Sequence, residues 1–324
     1  MKEKIIVIGS GSWGTSIANL IAKNGYLTTL ISRNDSIAQE INFSKTNNKY
    51  LPQINLNQNL IAKTNLNQEV IDCDYIFIAV PSSSFLQLVE KIKSMNLKKN
   101  CGFVILSKGL ESKSLEFFHQ IISRNFSQNS CAILSGPNFA IEVANEYPTI
   151  TTIASRDKIF ASKIIKILQN HYFKPEYSEK IISAEISAIL KNIIAIACGI
   201  ADGLGLGENG KSAILVKGVK EIEMLIKSLN EEFEIISAAA IGDIFLTCSS
   251  IKSRNNSLGV SLANGKKYKN LSKEKTYEGA QNASTIYKLS KKLNLNLELC
   301  SLINEILEND LSQEQIKQKI INIL

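Results

Sequence analysis

The sequence has few of the residues that build metal centres, disulfide frameworks or histidine-dependent active sites. It contains only two histidines and six cysteines in 324 residues, and the cysteines are scattered singly, with no CxxC pair and no clustering with histidine. Such spacing argues against a zinc site, and scattered cysteines without an export signal are typical of reduced thiols. We therefore expect no metal, no disulfides and a cytoplasmic location.

Long apolar runs are also missing. The run Ile5-Ile6-Val7-Ile8 reaches a glycine after four residues, which is too soon for the apolar core of a secretory signal. The run from Ile193 to Ala201 is about half the length that spans a bilayer. The sequence therefore predicts no targeting segment and no integral membrane contact.

The charge balance is positive, with 37 Lys and Arg against 30 Asp and Glu, a net charge of +7. A basic protein favours anionic small molecules but also polyanions. The densest basic stretch, residues 265–269, is short and lies in no recognisable nucleic-acid-binding module. We interpret it as an exposed loop and expect no nucleic-acid partner.

The length of the chain exceeds what one hydrophobic core usually supports, so two domains are expected. From residue 4 to about 178, short β-branched runs alternate with helical patterns, which is typical of βαβ units. Beyond that point apolar residues recur every three or four positions, as in a helix. We predict an α/β protein: a Rossmann-type, doubly wound, mostly parallel sheet in a dinucleotide-binding domain (1–178), followed by an all-helical substrate and catalytic domain (179–324).

Eight strands are predicted, at 4–8, 27–31, 59–63, 75–80, 102–107, 131–135, 149–154 and 172–177. The Asn- and Gln-rich stretch 46–70 predicts a long loop around one weak strand. In the helical half, interruptions are expected at 203–210, 249–256 and 264–272, where glycine and polar residues concentrate.

The motif Gly9-x-Gly11-x-x-Gly14 directly follows the first predicted strand and opens a helical pattern. Glycines there allow a tight turn and close approach to a pyrophosphate, while the helix N-terminus stabilises negative charge. The bare motif also fits a structural turn, but this strand–turn–helix context favours cofactor binding.

Arg33 follows the second predicted strand, where proteins that prefer NAD usually place an acidic residue on the ribose. A guanidinium at that position can bind a 2′-phosphate through two hydrogen bonds. The sequence thus favours NADPH/NADP, although Asp35 nearby leaves NADH/NAD open.

Three further motifs lie at predicted strand ends: Val80-Pro81-Ser82, Ser107-Lys108-Gly109 and Ser135-Gly136-Pro137-Asn138. Ligands of open parallel sheets bind outside the carboxyl ends of the strands, so these motifs are expected to line one crevice. Lys108 is then placed to meet an anion or a polarised carbonyl, or else is a solvated charge.

Lys191 lies among apolar residues, so it either reaches the surface or is buried for a chemical reason. Burial would lower its pKa and suit it to proton transfer, and the local sequence leaves the two readings open. His119 and His171 lie at no strand end and in no glycine turn. We interpret both as structural, which moves the acid/base role toward lysine.

Asp243 and Thr247 are four residues apart, so on a helix they face the same way. Asp243 could pair with a catalytic lysine, and Arg254 could bind a phosphate. Each residue also fits capping or surface chemistry when taken alone.

Together these motifs resemble bacterial NAD(P)-dependent glycerol-3-phosphate dehydrogenases. The resemblance rests on the following segments, which occur in the family's order over nearly the whole chain: Gly9-Ser-Gly-Ser-Trp-Gly14, Ser107-Lys-Gly109, Gly136-Pro-Asn-Phe-Ala140, Leu190-Lys-Asn-Ile-Ile-Ala-Ile196, Gly242-Asp243 with Leu246-Thr-Cys248, Ser253-Arg-Asn255 and Glu278-Gly279. It implies reversible reduction of dihydroxyacetone phosphate to sn-glycerol 3-phosphate, a precursor of glycerophospholipids.

The resemblance also implies roles for individual residues. Lys191 falls on the family's proton donor and acceptor position, with Lys108 and Asp243 as further catalytic residues. Motifs and resemblance together place the substrate on Lys108, Gly136, Asn138, Lys191, Asp243, Thr247, Ser253, Arg254 and Asn255. They place the cofactor on Gly9, Ser10, Gly11, Trp13, Gly14, Arg33, Lys108, Ala140, Arg254, Thr276 and Glu278.

Two positions depart mildly from the family pattern: Asn138 stands where Ser or Thr is usual, and Ile241 replaces Leu. Catalysis is expected between the two predicted domains, and a homodimer is compatible with the sequence. One alternative is a related reductase of ketopantoate or 6-phosphogluconate type. Arg254 discriminates between the two, because Arg254→Ala should sharply raise the KM for a phosphorylated substrate. Another is a non-catalytic nucleotide sensor, which the presence of Lys191 with Asp243 argues against.

Overall fold

The computed structural model describes residues 3–250, 252–273 and 275–324, which form two compact units. The sheet unit comprises the described residues up to Ser107 together with Glu116–Ile181. The helical unit comprises Lys108–Leu115 and the described part of Ile182–Leu324. The predicted domain boundary between residues 178 and 179 stays a prediction, and segment 108–115, which carries Lys108, belongs to the helical unit.

The sheet unit contains an eight-stranded sheet. Its strands are Ile5–Ile8 (β1), Thr28–Ile31 (β2), Leu60–Lys63 (β3), Tyr75–Ile78 (β4), Gly102–Ile105 (β5), Cys131–Ser135 (β6), Thr149–Ala154 (β7) and Phe173–Ser178 (β8). The order is β3-β2-β1-β4-β5-β6-β7-β8, and every neighbouring pair is parallel except β6 and β7. The predicted doubly wound, mostly parallel sheet is confirmed.

Helices connect the strands. They are Ser12–Lys23 (α1), Asp35–Phe43 (α2), Leu66–Val70 (α3), Phe85–Lys93 (α4), Phe118–Asn125 (α5), Ala140–Ala144 (α6) and Lys158–Leu168 (α7), with a 3-10 turn at Ser82–Ser84. Helix α3 corrects the prediction of a loop through residue 70. The side chain of Asn65 accepts a hydrogen bond from the Asn67 N–H and caps this helix. Asparagine is common at helix N-termini as well as in turns.

The sheet reverses its strand order between β1 and β4, which is where doubly wound folds bind their ligands. Every residue of β1, β4 and β5 is buried, as expected when helices cover both faces of a parallel sheet. The glycine motif leaves β1 at this switch point. A side chain at Gly9 would lie 2.4 Å from the Ala79 carbonyl oxygen after β4, so only glycine fits there.

The helical unit contains no strand among its described residues, which confirms the predicted all-helical region. Its helices are Ile181–Gly203 (α8), Gly207–Ser228 (α9), Asp243–Ser249 (α10), Arg254–Ala263 (α11), Tyr268–Leu271 (α12), Glu278–Lys292 (α13), Glu298–Glu308 (α14) and Gln313–Ile323 (α15), with a π-helical turn at Ala238–Gly242. All three predicted interruptions were too long. Helix α9 begins at Gly207, inside 203–210. Ser253 caps α11 by accepting the Asn256 N–H, so this helix begins inside 249–256, and α12 lies inside 264–272. Ile251, in the interruption 249–256, lies outside the described residues.

Helix α8 is the 23-residue centre of this unit. It is the one helix among the described residues that is long and apolar enough to cross a membrane, yet the whole apolar window is buried inside the protein. Both properties are those of a core helix. Burial of the helix on all sides also places Lys191 in the interior.

Helices α8 and α11 cross at van der Waals distance because glycines face each other. A Cβ on Gly259 would lie 2.0 Å from the Ile196 carbonyl oxygen, and one on Gly199 would lie 2.0 Å from the Asn256 carbonyl oxygen. This close crossing holds the N-terminus of α11, and therefore Arg254 and Asn255, against the helix that carries Lys191.

Candidate active site

A buried cluster of two lysines and one aspartate lies in the helical unit. Lys191 of α8 has a side chain only 7% exposed, and its ammonium donates to Asp243 Oδ1 and, at 2.9 Å, to Thr247 Oγ1. Lys108 donates to the other carboxylate oxygen, Asp243 Oδ2, at 3.0 Å. Asp243 is 1% exposed, so the carboxylate is enclosed by its partners.

The local fold explains how one short helix supplies both partners of Lys191. The π-helical turn at Ala238–Gly242 leads directly into α10, so Asp243 is its first residue. Thr247 lies one turn later on the same face and donates to Asp243 Oδ1 at 3.2 Å. The Thr247 hydroxyl can accept from Lys191 while it donates to Asp243, so it orients both groups.

The electrostatics of the cluster separate the two lysines. Burial, with the neighbouring Lys108 ammonium, lowers the pKa of Lys191 to about 8, although the Asp243 carboxylate opposes this shift. Burial also acts to lower the pKa of Lys108, but Asp243 and Glu278 outweigh it and raise that pKa above its ordinary value. For Asp243, burial acts to raise the pKa, but the two ammonium groups lower it overall. Lys191 is therefore the group of the three that titrates nearest neutral pH.

Two helix N-termini bring further predicted residues to the helical unit's site. Arg254 is exposed as the first residue of α11, and forms no ion pair with the described residues. Glu278 opens α13 and acts electrostatically on Lys108, whereas Thr276, two residues before it, is exposed. Arg254 is thus a cation available to an external anion.

Asn255 links three helices through its amide. Its Nδ2 donates to Asn192 Oδ1 on α8 at 3.0 Å, and its Oδ1 accepts the backbone N–H of Gly279 on α13 at 3.1 Å. Two of its hydrogen-bonding positions are therefore used within the protein. Ser253, also predicted in the substrate site, is buried and caps α11.

In the sheet unit, the glycine motif has the shape of a ligand cradle. A Cβ on Gly14 would lie 1.9 Å from the Gly9 carbonyl oxygen, so this position is closed by the protein itself. At Gly11 the same construction meets no atom within 4 Å, and no side chain caps the N-terminus of α1. Free backbone N–H groups beside an open glycine fit a dinucleotide pyrophosphate.

The predicted adenosine end lies beside this turn. Ser10 Oγ donates to Ser32 Oγ at 2.9 Å, which ties the turn to the end of β2. The next residue, Arg33, is exposed and forms no ion pair with the described residues. Asn34 uses its side chain to cap α2, which leaves the guanidinium as the free recognition group of this loop.

The segment after β6 holds the remaining predicted residues. Gly136 packs on β7, since a Cβ there would lie 2.9 Å from Thr151 Cα. Asn138 donates to Thr151 Oγ1 at 2.9 Å, while its own Oδ1 is buried without a hydrogen-bond partner. The carbonyl of Ala140 accepts from Ser16 Oγ at 2.9 Å, which joins α6 to α1. Asn138 Oδ1 is thus an acceptor that the protein leaves unused.

Neither histidine joins the lysine cluster. His119 is buried on α5 and His171 is exposed just before β8. Among the residues that the structure describes, no group of three or more His, Cys, Asp or Glu side chains is arranged to hold a metal ion.

Two residues at these sites were not singled out from the sequence. Asn192, next to Lys191, binds Asn255, and Asn47 binds the glycine turn from within the Asn-rich stretch. Adjacency to Lys191 is a signal for Asn192. No local signal distinguishes Asn47 from the asparagines around it.

Comparison with known proteins identifies the family. Residues 4–161 match the family model described as NAD-dependent glycerol-3-phosphate dehydrogenase N-terminus, and residues 180–318 match the corresponding C-terminus. The chain belongs to the NAD-dependent glycerol-3-phosphate dehydrogenase family. This is the family that the sequence motifs resemble.

Individual members of the family match over almost the whole chain. A glycerol-3-phosphate dehydrogenase [NAD(P)+] of Halorhodospira halophila is 32% identical over 99% of this chain and 97% of its own length. A chloroplastic glycerol-3-phosphate dehydrogenase [NAD(+)] of Arabidopsis thaliana is 34% identical over 99% of this chain and 78% of its own. The crystal structure of the Coxiella burnetii glycerol-3-phosphate dehydrogenase superposes with a TM-score of 0.93, at 30% identity, over 99% of this chain and 98% of that one.

Proposed function

We propose that this chain catalyses the reversible, NAD(P)-dependent reduction of dihydroxyacetone phosphate to sn-glycerol 3-phosphate, with Lys191 as proton donor and acceptor. The observation that carries the proposal is the buried Lys191 ammonium, held by Asp243 and Thr247 beside a second lysine. Relatives named for this activity support the choice of substrate. The product is proposed to enter glycerophospholipid synthesis.

Reduction of a ketone needs one proton on the carbonyl oxygen, and Lys191 is suited to give it. With its pKa at about 8, Lys191 is mostly protonated at pH 7, yet it releases the proton at small cost. In the reverse direction, the neutral amine formed above that pH accepts the proton of the C2 hydroxyl. One group therefore serves both directions.

Lys108 and Asp243 prepare this proton transfer. Asp243 accepts from both ammonium groups, so it fixes the position of Lys191 and balances one of the two positive charges. The raised pKa of Lys108 keeps it protonated, and a fixed ammonium stabilises negative charge that develops on the substrate oxygen. Positioning and charge stabilisation thus come from groups already held in place.

Arg254 is proposed to bind the substrate phosphate. It is exposed, unpaired among the described residues and placed at the N-terminus of α11, where the helix dipole also favours anions. Asn255 holds that helix end through Asn192 and Gly279. Its contribution is then to fix where the phosphate is held.

The nicotinamide cofactor, when bound, supplies the hydride to C2 or accepts it from C2. The open Gly11 and the uncapped α1 N-terminus are proposed to hold its pyrophosphate. Arg33 would contact a 2′-phosphate, which favours NADPH over NADH. Ser10, Trp13, Ala140, Thr276 and Glu278 complete the proposed cofactor contacts.

The direct experiment follows oxidation of NADPH by absorbance with dihydroxyacetone phosphate, with NADH in a parallel series. We expect turnover that needs the phosphate ester, and a lower KM for NADPH than for NADH. Arg33→Ser should remove that KM difference by raising the NADPH value alone. Absence of turnover with either cofactor would contradict the proposal.

A further inference from the structure

Asn47 is a fully buried asparagine in the irregular stretch between α2 and β3, and it contacts the glycine turn. Its relative exposure is 0%. Nδ2 donates to the Ser10 carbonyl oxygen at 3.0 Å and to Thr15 Oγ1 at 2.8 Å. Thr15 Oγ1 in turn donates to the same Ser10 carbonyl at 3.3 Å. The Ser10 carbonyl oxygen therefore accepts two hydrogen bonds, one from Asn47 itself and one from the Thr15 hydroxyl that Asn47 also contacts.

The stretch that carries Asn47 is itself held in place. The backbone N–H groups of Tyr50 and Leu51 donate to the Asn47 carbonyl oxygen, and Leu51 is 1% exposed in the core. Ser12 Oγ adds a second link by donating to the Tyr50 carbonyl oxygen at 2.6 Å. Asn47 is thus fixed by packing on one side and by the glycine turn on the other.

The orientation of the Ser10 carbonyl determines the direction of a neighbouring donor. The described chain contains no cis peptide bond, so the C=O of Ser10 and the N–H of Gly11 point in opposite directions across a planar peptide. A carbonyl held toward Asn47 therefore directs the Gly11 N–H away from Asn47. Of the three glycines in this turn, Gly11 is the one where a Cβ would meet no atom within 4 Å.

A turn with three glycines in six residues needs such a restraint, because glycine has wide conformational freedom. Among uncharged side chains, only an amide provides two N–H donors from one group, one for each acceptor. The remaining Asn47 Oδ1 is buried without a hydrogen-bond partner. The reversed amide would set this oxygen against the Ser10 carbonyl, so the donor orientation is the one that the site requires.

We propose that Asn47 is a positioning residue for cofactor binding, which locks the peptide between Ser10 and Gly11 so that the Gly11 N–H faces the bound pyrophosphate. The inference rests on the proposed role of the glycine turn in holding the cofactor. It gives the Asn-rich stretch a function that its composition does not reveal.

The chain provides its own probe for this proposal. Trp13 is the single tryptophan of the sequence and lies in the glycine turn. Reduced nicotinamide absorbs where tryptophan emits, so NADPH titrated into the full-length protein should quench Trp13 emission and yield a Kd. Steady-state kinetics with dihydroxyacetone phosphate then give kcat and the KM of each substrate.

We expect Asn47→Ala to raise the Kd and KM for NADPH about tenfold, because fewer molecules hold the binding-competent turn. The value of kcat at saturating NADPH and the KM for dihydroxyacetone phosphate should change less than about twofold. Thr15→Val should raise the NADPH Kd, and Thr15→Ser should restore it. The matched control is Asn48→Ala, since Asn48 is exposed and adjacent, and it should bind like wild type.

Unchanged NADPH affinity in Asn47→Ala, with or without a lower Tm, would overturn the inference and reduce Asn47 to a packing residue. Equal effects in Asn48→Ala would overturn it as well. If Asn47→Ala does not fold, the two Thr15 variants decide, and wild-type affinity in Thr15→Val overturns the proposal. Wild-type protein that neither binds NADPH nor reduces dihydroxyacetone phosphate would instead overturn the proposed function.

Discussion

Replacement of Asp243 by asparagine tests how the buried cluster sets the proton affinity of Lys191. The substitution keeps the size of the side chain and removes one negative charge from between two ammonium groups. A unit charge about 4 Å away contributes about 4 kcal/mol at an effective dielectric constant of about 20. One pKa unit corresponds to about 1.4 kcal/mol, so the carboxylate holds the Lys191 pKa up by about two to three units.

From this magnitude we expect the pKa of Lys191, about 8 in the wild type, to fall to about 5 or 6 in Asp243→Asn. Reduction needs the protonated form, so it proceeds below the pKa and is lost as the pH rises through it. Oxidation of glycerol 3-phosphate needs the neutral form and gains activity over the same interval. At pH 7 the variant should therefore reduce dihydroxyacetone phosphate about 10- to 100-fold more slowly than the wild type.

The assay is the pH dependence of kcat for reduction between pH 5 and 9. The wild-type rate should fall above about pH 8, while the Asp243→Asn rate should fall about two units lower and recover as the pH decreases. Asp310→Asn is the matched control, because Asp310 is 68% exposed in its pair with Lys267 and such pairs contribute little. An unchanged apparent pKa in Asp243→Asn would refute the electrostatic reasoning.

Two further substitutions test the phosphate site and the helix crossing. Arg254→Ala should raise the KM for dihydroxyacetone phosphate by about 10- to 100-fold, which corresponds to the loss of a charge-assisted hydrogen bond to an anion. Arg254→Lys should recover only part of the lost affinity. An unchanged KM in steady-state kinetics of Arg254→Ala would exclude phosphate binding by Arg254. Gly259→Ala should lower the free energy of unfolding by about 1 to 3 kcal/mol, because its Cβ would lie 2.0 Å from the Ile196 carbonyl oxygen. Denaturant unfolding measures this change, with Gly210→Ala on α9 as the control. A Cβ on Gly210 would lie 3.1 Å from Leu206 Cβ and meet no backbone atom of a neighbouring element within 4 Å, so this substitution should change stability much less.

Much of the sheet unit could be predicted because its strands are short β-branched runs buried on both faces, as in β1 and β4. The boundaries were less certain where one residue type serves two structures. Asn65 caps α3 in a stretch whose asparagines predicted a loop, and Ser253 starts α11 within another predicted loop. Capping side chains and turn side chains are chemically the same, so tertiary packing decides between them.

Prediction of the candidate site from the local sequence is likewise limited by tertiary packing. The spacing of Asp243 and Thr247 predicts a shared helix face, and α10 has that arrangement. The local sequence could not decide whether Lys191 is buried, because that depends on the helices packed around α8. Segment 108–115 belongs to the helical unit although it directly follows β5, so the contact of Lys108 with Asp243 depends on chain topology. The contacts of Asn47 with Ser10 and Thr15 likewise join residues 37 and 32 positions apart.

The central claim is that the Lys191 side chain exchanges the substrate proton, and kcat of Lys191→Ala tests it most directly. The measurement is NADPH oxidation at saturating dihydroxyacetone phosphate, beside Lys220→Ala, which removes an exposed lysine of the same unit. We predict a loss of about 10² or more in kcat for Lys191→Ala, with NADPH binding retained and wild-type kcat in the control. Near-normal kcat in Lys191→Ala would contradict the account.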